Sequence, residues 1–101
     1  MNTVTPLELK SWLDNDPASV QLIDVREPEE HREFDIGGEL MPLTEIHEHM
    51  QRIESDKKVV FYCKMGVRSM LAIQRIEAKL GLSGLYNLTG GLEAWKKEFG
   101  S

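Results

Sequence analysis

The feature that most limits the fold of this chain is its rhythm: short runs of apolar and β-branched residues alternate with longer stretches of helical periodicity. Val20-Gln21-Leu22-Ile23-Asp24-Val25, Val59-Val60-Phe61-Tyr62 and Leu85-Tyr86-Asn87-Leu88 read as strands, with Leu40-Met41 as a brief one before Pro42. Their near-continuous apolar content is that of strands covered on both faces. Between them, Thr5-Pro6-Leu7-Glu8 is a capping box that opens a helix with Leu9, Trp12 and Leu13 on one face, closed by Asn15-Asp16-Pro17. Glu27 to Phe34 reads as a short polar helix entered through Pro28. Leu43, Ile46, Met50 and Ile53 mark another helix, and Ala72, Ile73, Ile76 and Leu80, with Gly81 at C′, a further one. After Gly90-Gly91 a last helix runs through Trp95 and frays near Gly100. Strands separated by helices pair in parallel through right-handed crossovers, so the expected fold is a three-layer α/β domain.

At 101 residues and 11.5 kDa, residues 1–101 have room for one domain. A hydrophobic content of 41% and a charged content of 29% are those of a globular chain. No run approaches the roughly 18 apolar residues of a membrane helix. The start, Met1-Asn2-Thr3-Val4-Thr5-Pro6, has no basic region followed by an apolar one, so a cytoplasmic protein without a membrane partner is expected. A net charge of −5 argues against nucleic acid as a partner. The single cysteine excludes an internal disulfide and a multi-cysteine metal site, and no metal or cofactor is expected.

That cysteine, Cys63, stands at the carboxyl end of the most apolar strand, where ligands bind in an open parallel sheet. Lys64-Met65-Gly66-Val67-Arg68-Ser69 follows, and then a helix begins. Gly66 lets successive backbone N–H groups turn inward as an anion nest. The helix adds the positive end of its dipole, and Lys64 and Arg68 add two cations. A free cysteine has a pKa of about 8.5, and such surroundings lower it to roughly 3.5–7.5. A structural cysteine inside an element has no reason to be followed by a glycine-containing, dibasic loop. Cys63 therefore reads as a reactive thiolate.

The same residues resemble a known family, the single-domain rhodaneses. Cys63-Lys64-Met65-Gly66-Val67-Arg68-Ser69 is similar to the family's C-R-x-G-x-R-S loop, and Leu22-Ile23-Asp24-Val25-Arg26-Glu27 to its D-V-R strand end. Asn87-Leu88-Thr89-Gly90-Gly91-Leu92-Glu93-Ala94-Trp95 resembles its N-L-x-G-G-x-x-A-W signature. Two departures stand out. Phe34-Asp35-Ile36-Gly37-Gly38-Glu39-Leu40-Met41-Pro42 replaces the common G-H-I-P-G-A-x-N-I-P segment, and Lys64 replaces an arginine. The variant segment together with this loop is similar to rhodanese domains fused to adenylyltransferases of molybdopterin and thiamine sulfur pathways.

The resemblance implies a rhodanese-like domain with a central, mostly parallel sheet of about five short strands flanked by helices. It implies a sulfurtransferase in which the Cys63 thiolate takes the outer sulfur of a small anionic donor such as thiosulfate. The resulting persulfide passes that sulfur to a thiophilic acceptor, while Lys64, Met65, Gly66, Val67, Arg68 and Ser69 bind substrate. A cysteine nucleophile splits the transfer into two steps, and preset loop amides stabilise the anion in each. The alternative is a relay module that exchanges sulfur with protein donors and acceptors and turns over little small molecule. A further alternative is a phosphatase or arsenate reductase. Those relatives resemble C-x5-R, whereas only four residues separate Cys63 from Arg68.

Asp24 and Arg26 end a strand at the same edge and are expected to be structural, the Asp bonding a neighbouring loop and the Arg pairing with an acid. His31, His47 and His49 lie in polar stretches and are expected to be solvated. Trp12 and Trp95 are expected in the core, and Gly90-Gly91 in a tight turn. Seven acids and two arginines between Asp24 and Glu39 give a local net of −5, while four bases and one acid between Cys63 and Lys79 give +3. The usual reading of such runs is solvated faces, and the functional one is an electropositive mouth around the thiol.

Overall fold

The computed structural model describes residues 1–100. Its strands are β1 (Asn2–Val4), β2 (Val20–Asp24), β3 (Glu39–Leu40), β4 (Lys58–Tyr62) and β5 (Tyr86–Leu88). The helices are α1 (Pro6–Asn15), α2 (Pro28–Glu33), α3 (Ile46–His49), α4 (Val67–Leu80) and α5 (Gly91–Phe99). The strands form one sheet in the order β1-β5-β4-β2-β3, and every pairing is parallel. β4 lies in the middle, as its apolar sequence requires. The strand at the start of the chain, Asn2–Val4, carries no apolar run, and its pairing with Tyr86–Leu88 makes it a strand.

Alternation along the strands sends side chains to two cores, one on each face. Ile23, Val25, Val59, Phe61 and Cys63 face Ile46 and Met50 together with Ala72, Ile73 and Ile76 of α4. On the other face, Leu22, Val60, Tyr62 and Leu88 meet Leu9 of α1 and Leu92 and Trp95 of α5, with Trp12 packed alongside. This is the expected three-layer arrangement.

Two helical expectations change in detail. The stripe Leu43, Ile46, Met50, Ile53 is a single α turn between 3₁₀ turns at Leu43–Glu45 and Met50–Arg52, rather than one helix. The spacing itself is that of an amphipathic helix, and Leu43 and Ile53 stay packed against the core although the chain tightens into 3₁₀ turns at both ends. Leu80, at the last turn of α4, is 44% exposed, where the helix has run past the core. The Thr5 capping box is present, with Glu8 N–H donating to Thr5 Oγ1 at 3.1 Å and Thr5 N–H to Glu8 Oε1 at 2.9 Å. No helix among the described residues is long and apolar enough to cross a membrane.

Candidate active site

Cys63 follows β4 directly and points to the α4 face of the sheet. The chain turns through Lys64 and Met65 to Gly66, whose φ of +97° makes it a left-handed N-cap for α4. That conformation favours glycine. The turn brings the Gly66 N–H to 3.1 Å from Cys63 Sγ, and the Ser69 N–H lies 3.4 Å from the same sulfur. The Ser69 hydroxyl oxygen is also 3.4 Å away. The residue is only 1% exposed. Burial pushes the thiol pKa up, but the Ser69 hydroxyl, when it turns its proton to the sulfur, and the N–H groups of Ser69, Gly66 and Met65 favour the anion, and the net direction is down.

Behind this loop stands a layer of buried polar contacts. Asn87 lies beside Phe61 in the β4–β5 register, so its side chain projects to the same face as Cys63. The Ser69 hydroxyl donates to Asn87 Oδ1 at 2.5 Å, and Asn87 Nδ2 donates to the Gly66 carbonyl at 3.0 Å. The first N–H groups of α5 hold the other side of the loop. Leu92 N–H donates to Cys63 O at 2.9 Å and Glu93 N–H to Lys64 O at 3.0 Å. This contact requires glycine at position 91, because a Cβ there would lie 2.5 Å from Cys63 O and 2.6 Å from Lys64 O.

The expected loop, Cys63 to Ser69, is thus assembled around one sulfur, but its members stand differently. A recess of about 180 Å³ above the thiol is lined by Cys63, Lys64, Met65, Val67 and Arg68. Met65 and Val67, each 60% exposed, give it an apolar rim, and Lys64 is exposed beside them. Ser69 is buried, in contact with the thiol rather than with the rim.

Arg68 is the main departure. Its Nη1 and Nη2 donate to Glu30 Oε1 and Oε2 at 2.7 and 3.0 Å. The Arg68 hydrogen bond, more than anything else, holds the Glu30 carboxyl down at about 2. The acidic stretch before β3 therefore offsets part of the basic one after β4, and the mouth is less electropositive than the basic stretch alone suggests.

Asp24 and Arg26 are buried and paired, Arg26 Nη2 donating to Asp24 Oδ2 at 2.8 Å and to Phe34 O at 2.6 Å. His31 is not simply solvated: its Nδ1 sits 2.8 Å from Asp24 Oδ2. The α2 helix carries it onto a buried carboxylate that sequence places seven residues away. Glu30 and Asn87 are the site residues that sequence reasoning misses in role. For Asn87 a signal existed, a polar residue inside an apolar strand. For Glu30 there was none to separate it from the other acids of its helix.

The rhodanese-like domain family matches residues 5–98. Over 100 residues the chain is 40% identical to the probable adenylyltransferase/sulfurtransferase MoeZ of Mycobacterium tuberculosis, covering 96% of this chain and 25% of that protein. It is 27% identical to the thiosulfate sulfurtransferase GlpE of Coxiella burnetii, covering 87% of this chain and 82% of that one. The solved structure of the human single-domain sulfurtransferase TSTD1 superposes with a TM-score of 0.79 at 29% identity, covering 97% of both chains. The chain spans about a quarter of the length of MoeZ.

Proposed function

The chain belongs to the rhodanese-like domain family, and from that membership we propose that it is a sulfurtransferase working through a persulfide on Cys63. The observation that carries this reading is the buried Sγ under the 3.1 Å Gly66 N–H, at the floor of a narrow recess. Such surroundings favour the thiolate, and the backbone N–H donors that stabilise it are already in place.

In the first half-reaction the Cys63 thiolate attacks the outer sulfur of thiosulfate. A bond forms between the two sulfurs, the old S–S bond breaks, and sulfite leaves with the electron pair. In the second, an acceptor such as cyanide attacks the outer sulfur of the persulfide. The S–S bond breaks, its electron pair returns to Cys63 Sγ, and thiocyanate departs. No proton need move in either step if Cys63 starts as the thiolate. The domain on this reading works in a reducing, cytoplasmic compartment, where a lone thiol persists.

A specific observation also favours a second reading, in which the sulfur comes from or goes to a protein. Met65 and Val67 make the rim apolar, and Arg68 is committed to Glu30. A dianion finds one exposed cation there, Lys64, whereas a protein surface finds apolar contact. MoeZ, by its name, joins a sulfurtransferase to an adenylyltransferase. Steady-state thiocyanate formation separates the two. An enzyme for small molecules turns over thiosulfate and cyanide in a Cys63-dependent reaction, and a relay domain carries the persulfide yet turns both over poorly. Absence of a Cys63 persulfide after both thiosulfate and a protein persulfide donor contradicts both.

A further inference from the structure

We propose that Asn87 is a positioning residue that parks the Ser69 proton while the inner sulfur of Cys63 is uncharged and yields it to that sulfur when negative charge develops there. The inference rests on the persulfide reading and adds to it the residue that times one of its hydrogen bonds.

Ser69 has one hydroxyl proton and two neighbours that can accept it. Asn87 Oδ1 is 2.5 Å from the hydroxyl oxygen and Cys63 Sγ is 3.4 Å from it. The orientation of the Asn87 amide is settled by its other partner. Nδ2 donates to the Gly66 carbonyl at 3.0 Å, and a flipped amide would set two acceptor oxygens against each other. Oδ1 therefore faces Ser69 and can only accept, so the Ser69 proton points at Asn87, and a lone pair of the hydroxyl points at the sulfur. A neutral thiol suits that arrangement, since its S–H can donate to Ser69 Oγ. An anionic sulfur does not, because lone pair then faces lone pair. Rotation about the Ser69 Cβ–Oγ bond exchanges one acceptor for the other with no heavy atom displaced.

The persulfide makes this exchange useful. With a second sulfur attached, the charge resides on the outer atom and Sγ is uncharged, so Asn87 keeps the proton. As the acceptor attacks, the S–S bond breaks and the electron pair collapses onto Sγ. The hydroxyl then turns to the sulfur, its proton staying on Ser69 Oγ throughout. A donor that engages only as the charge arrives stabilises the transition state more than the ground state. Asn87 is 9% exposed and does not line the recess, so it acts through Ser69 and touches no substrate.

The test is a double-substitution cycle read by iodoacetamide alkylation of Cys63 against pH. It needs no sulfur donor and so stands apart from the persulfide reading. The charged and titratable side chains at this end of the sheet are Arg68 with Glu30, Lys64, Asp24 with Arg26 and His31, Glu33, Glu93 and Lys96, and none is changed in the cycle. Asn87→Ala leaves Ser69 free to donate to the sulfur, and the alkylation midpoint should fall by about half a pH unit or more. Ser69→Ala should raise it, and Asn87→Ala in the Ser69→Ala background should lose most of its effect, keeping only what the Asn87 bond to the Gly66 carbonyl contributes. Asn87→Leu, of similar size and with no acceptor, covers the case in which the alanine variant does not fold. It too frees the Ser69 proton, so the midpoint should fall, and most of that fall should vanish without the Ser69 hydroxyl. The functional readout is discharge of preloaded persulfide by cyanide, which Ser69→Ala should slow about tenfold while Ser69→Thr restores it. An Asn87 effect of the same size with and without the Ser69 hydroxyl, or no effect on the midpoint, would overturn the proposal. Persulfide that never forms, with the alkylation cycle intact, would contradict the sulfurtransferase reading instead.

Discussion

Arg68 and Glu30 meet edge to edge, Nη1 to Oε1 at 2.7 Å and Nη2 to Oε2 at 3.0 Å, and tie the first turn of α4 to α2 beside the thiol recess. A bidentate pair of this kind fixes a guanidinium in place and uses the donors that a dianionic substrate would want. Glu30→Gln should therefore lower KM for thiosulfate about three- to tenfold at low salt, and the gain should shrink as salt is added. Gln can keep the bond that Glu30 Oε1 accepts from Glu27 N–H at 3.1 Å, so α2 should survive the change. A KM that rises in this variant would mean that the pair supports substrate binding rather than competing with it.

The same pair sets a pH dependence of stability. Glu30 titrates at about 2 in the folded chain against an ordinary value of 4.5. A carboxyl whose folded value is depressed contributes fully above its unfolded value and loses that contribution as pH falls through the folded one. The pair is about a third exposed, so solvent screening holds its contribution to about 1 kcal/mol or less. Melting temperatures between pH 5 and pH 2 should fall more steeply for the wild type than for Glu30→Gln. The Asp24 carboxyl, also held low, contributes equally to both. Parallel curves would show that the ion pair adds nothing to the fold.

Lys64 is the exposed cation at the rim. Lys64→Ala should raise KM for thiosulfate about three- to tenfold at low salt, with kcat little changed, and added salt should erase the difference. Unchanged KM would make Lys64 a bystander and move the weight of anion binding onto the loop amides.

Gly91 is where α5 touches the loop backbone. Gly91→Ala would drive a Cβ to 2.5 Å from Cys63 O at a φ of +61°, against backbone that cannot step aside. It should cost about 2 kcal/mol or more in stability and displace the Leu92 and Glu93 bonds to the loop. Gly90→Ala meets only the Ala94 side chain as a close neighbour and should cost less. Denaturant unfolding of the two variants checks the order.

Much of the site was legible because its parts are local. Cys63 to Ser69 is one continuous segment, so a strand end, a glycine and a helix start place the thiol without knowledge of any distant contact. The central position of β4 followed from Val59-Val60-Phe61-Tyr62, since a strand covered on both faces has no polar side to show. What escaped depends on contacts between different elements. Arg68 chooses Glu30 among the acids of α2 only because that helix turn faces α4, and His31 reaches Asp24 for a similar reason. β1 escaped because its three residues become a strand through pairing with β5 and not through their own composition.

The central claim is that Cys63 carries sulfur, and the intact mass of the protein tests it directly. Incubation with thiosulfate should add the mass of one sulfur atom, cyanide should remove it, and Cys63→Ser should show neither change. A wild-type mass unaltered by thiosulfate and by protein persulfide donors alike, or sulfur uptake that persists in Cys63→Ser, would contradict the account.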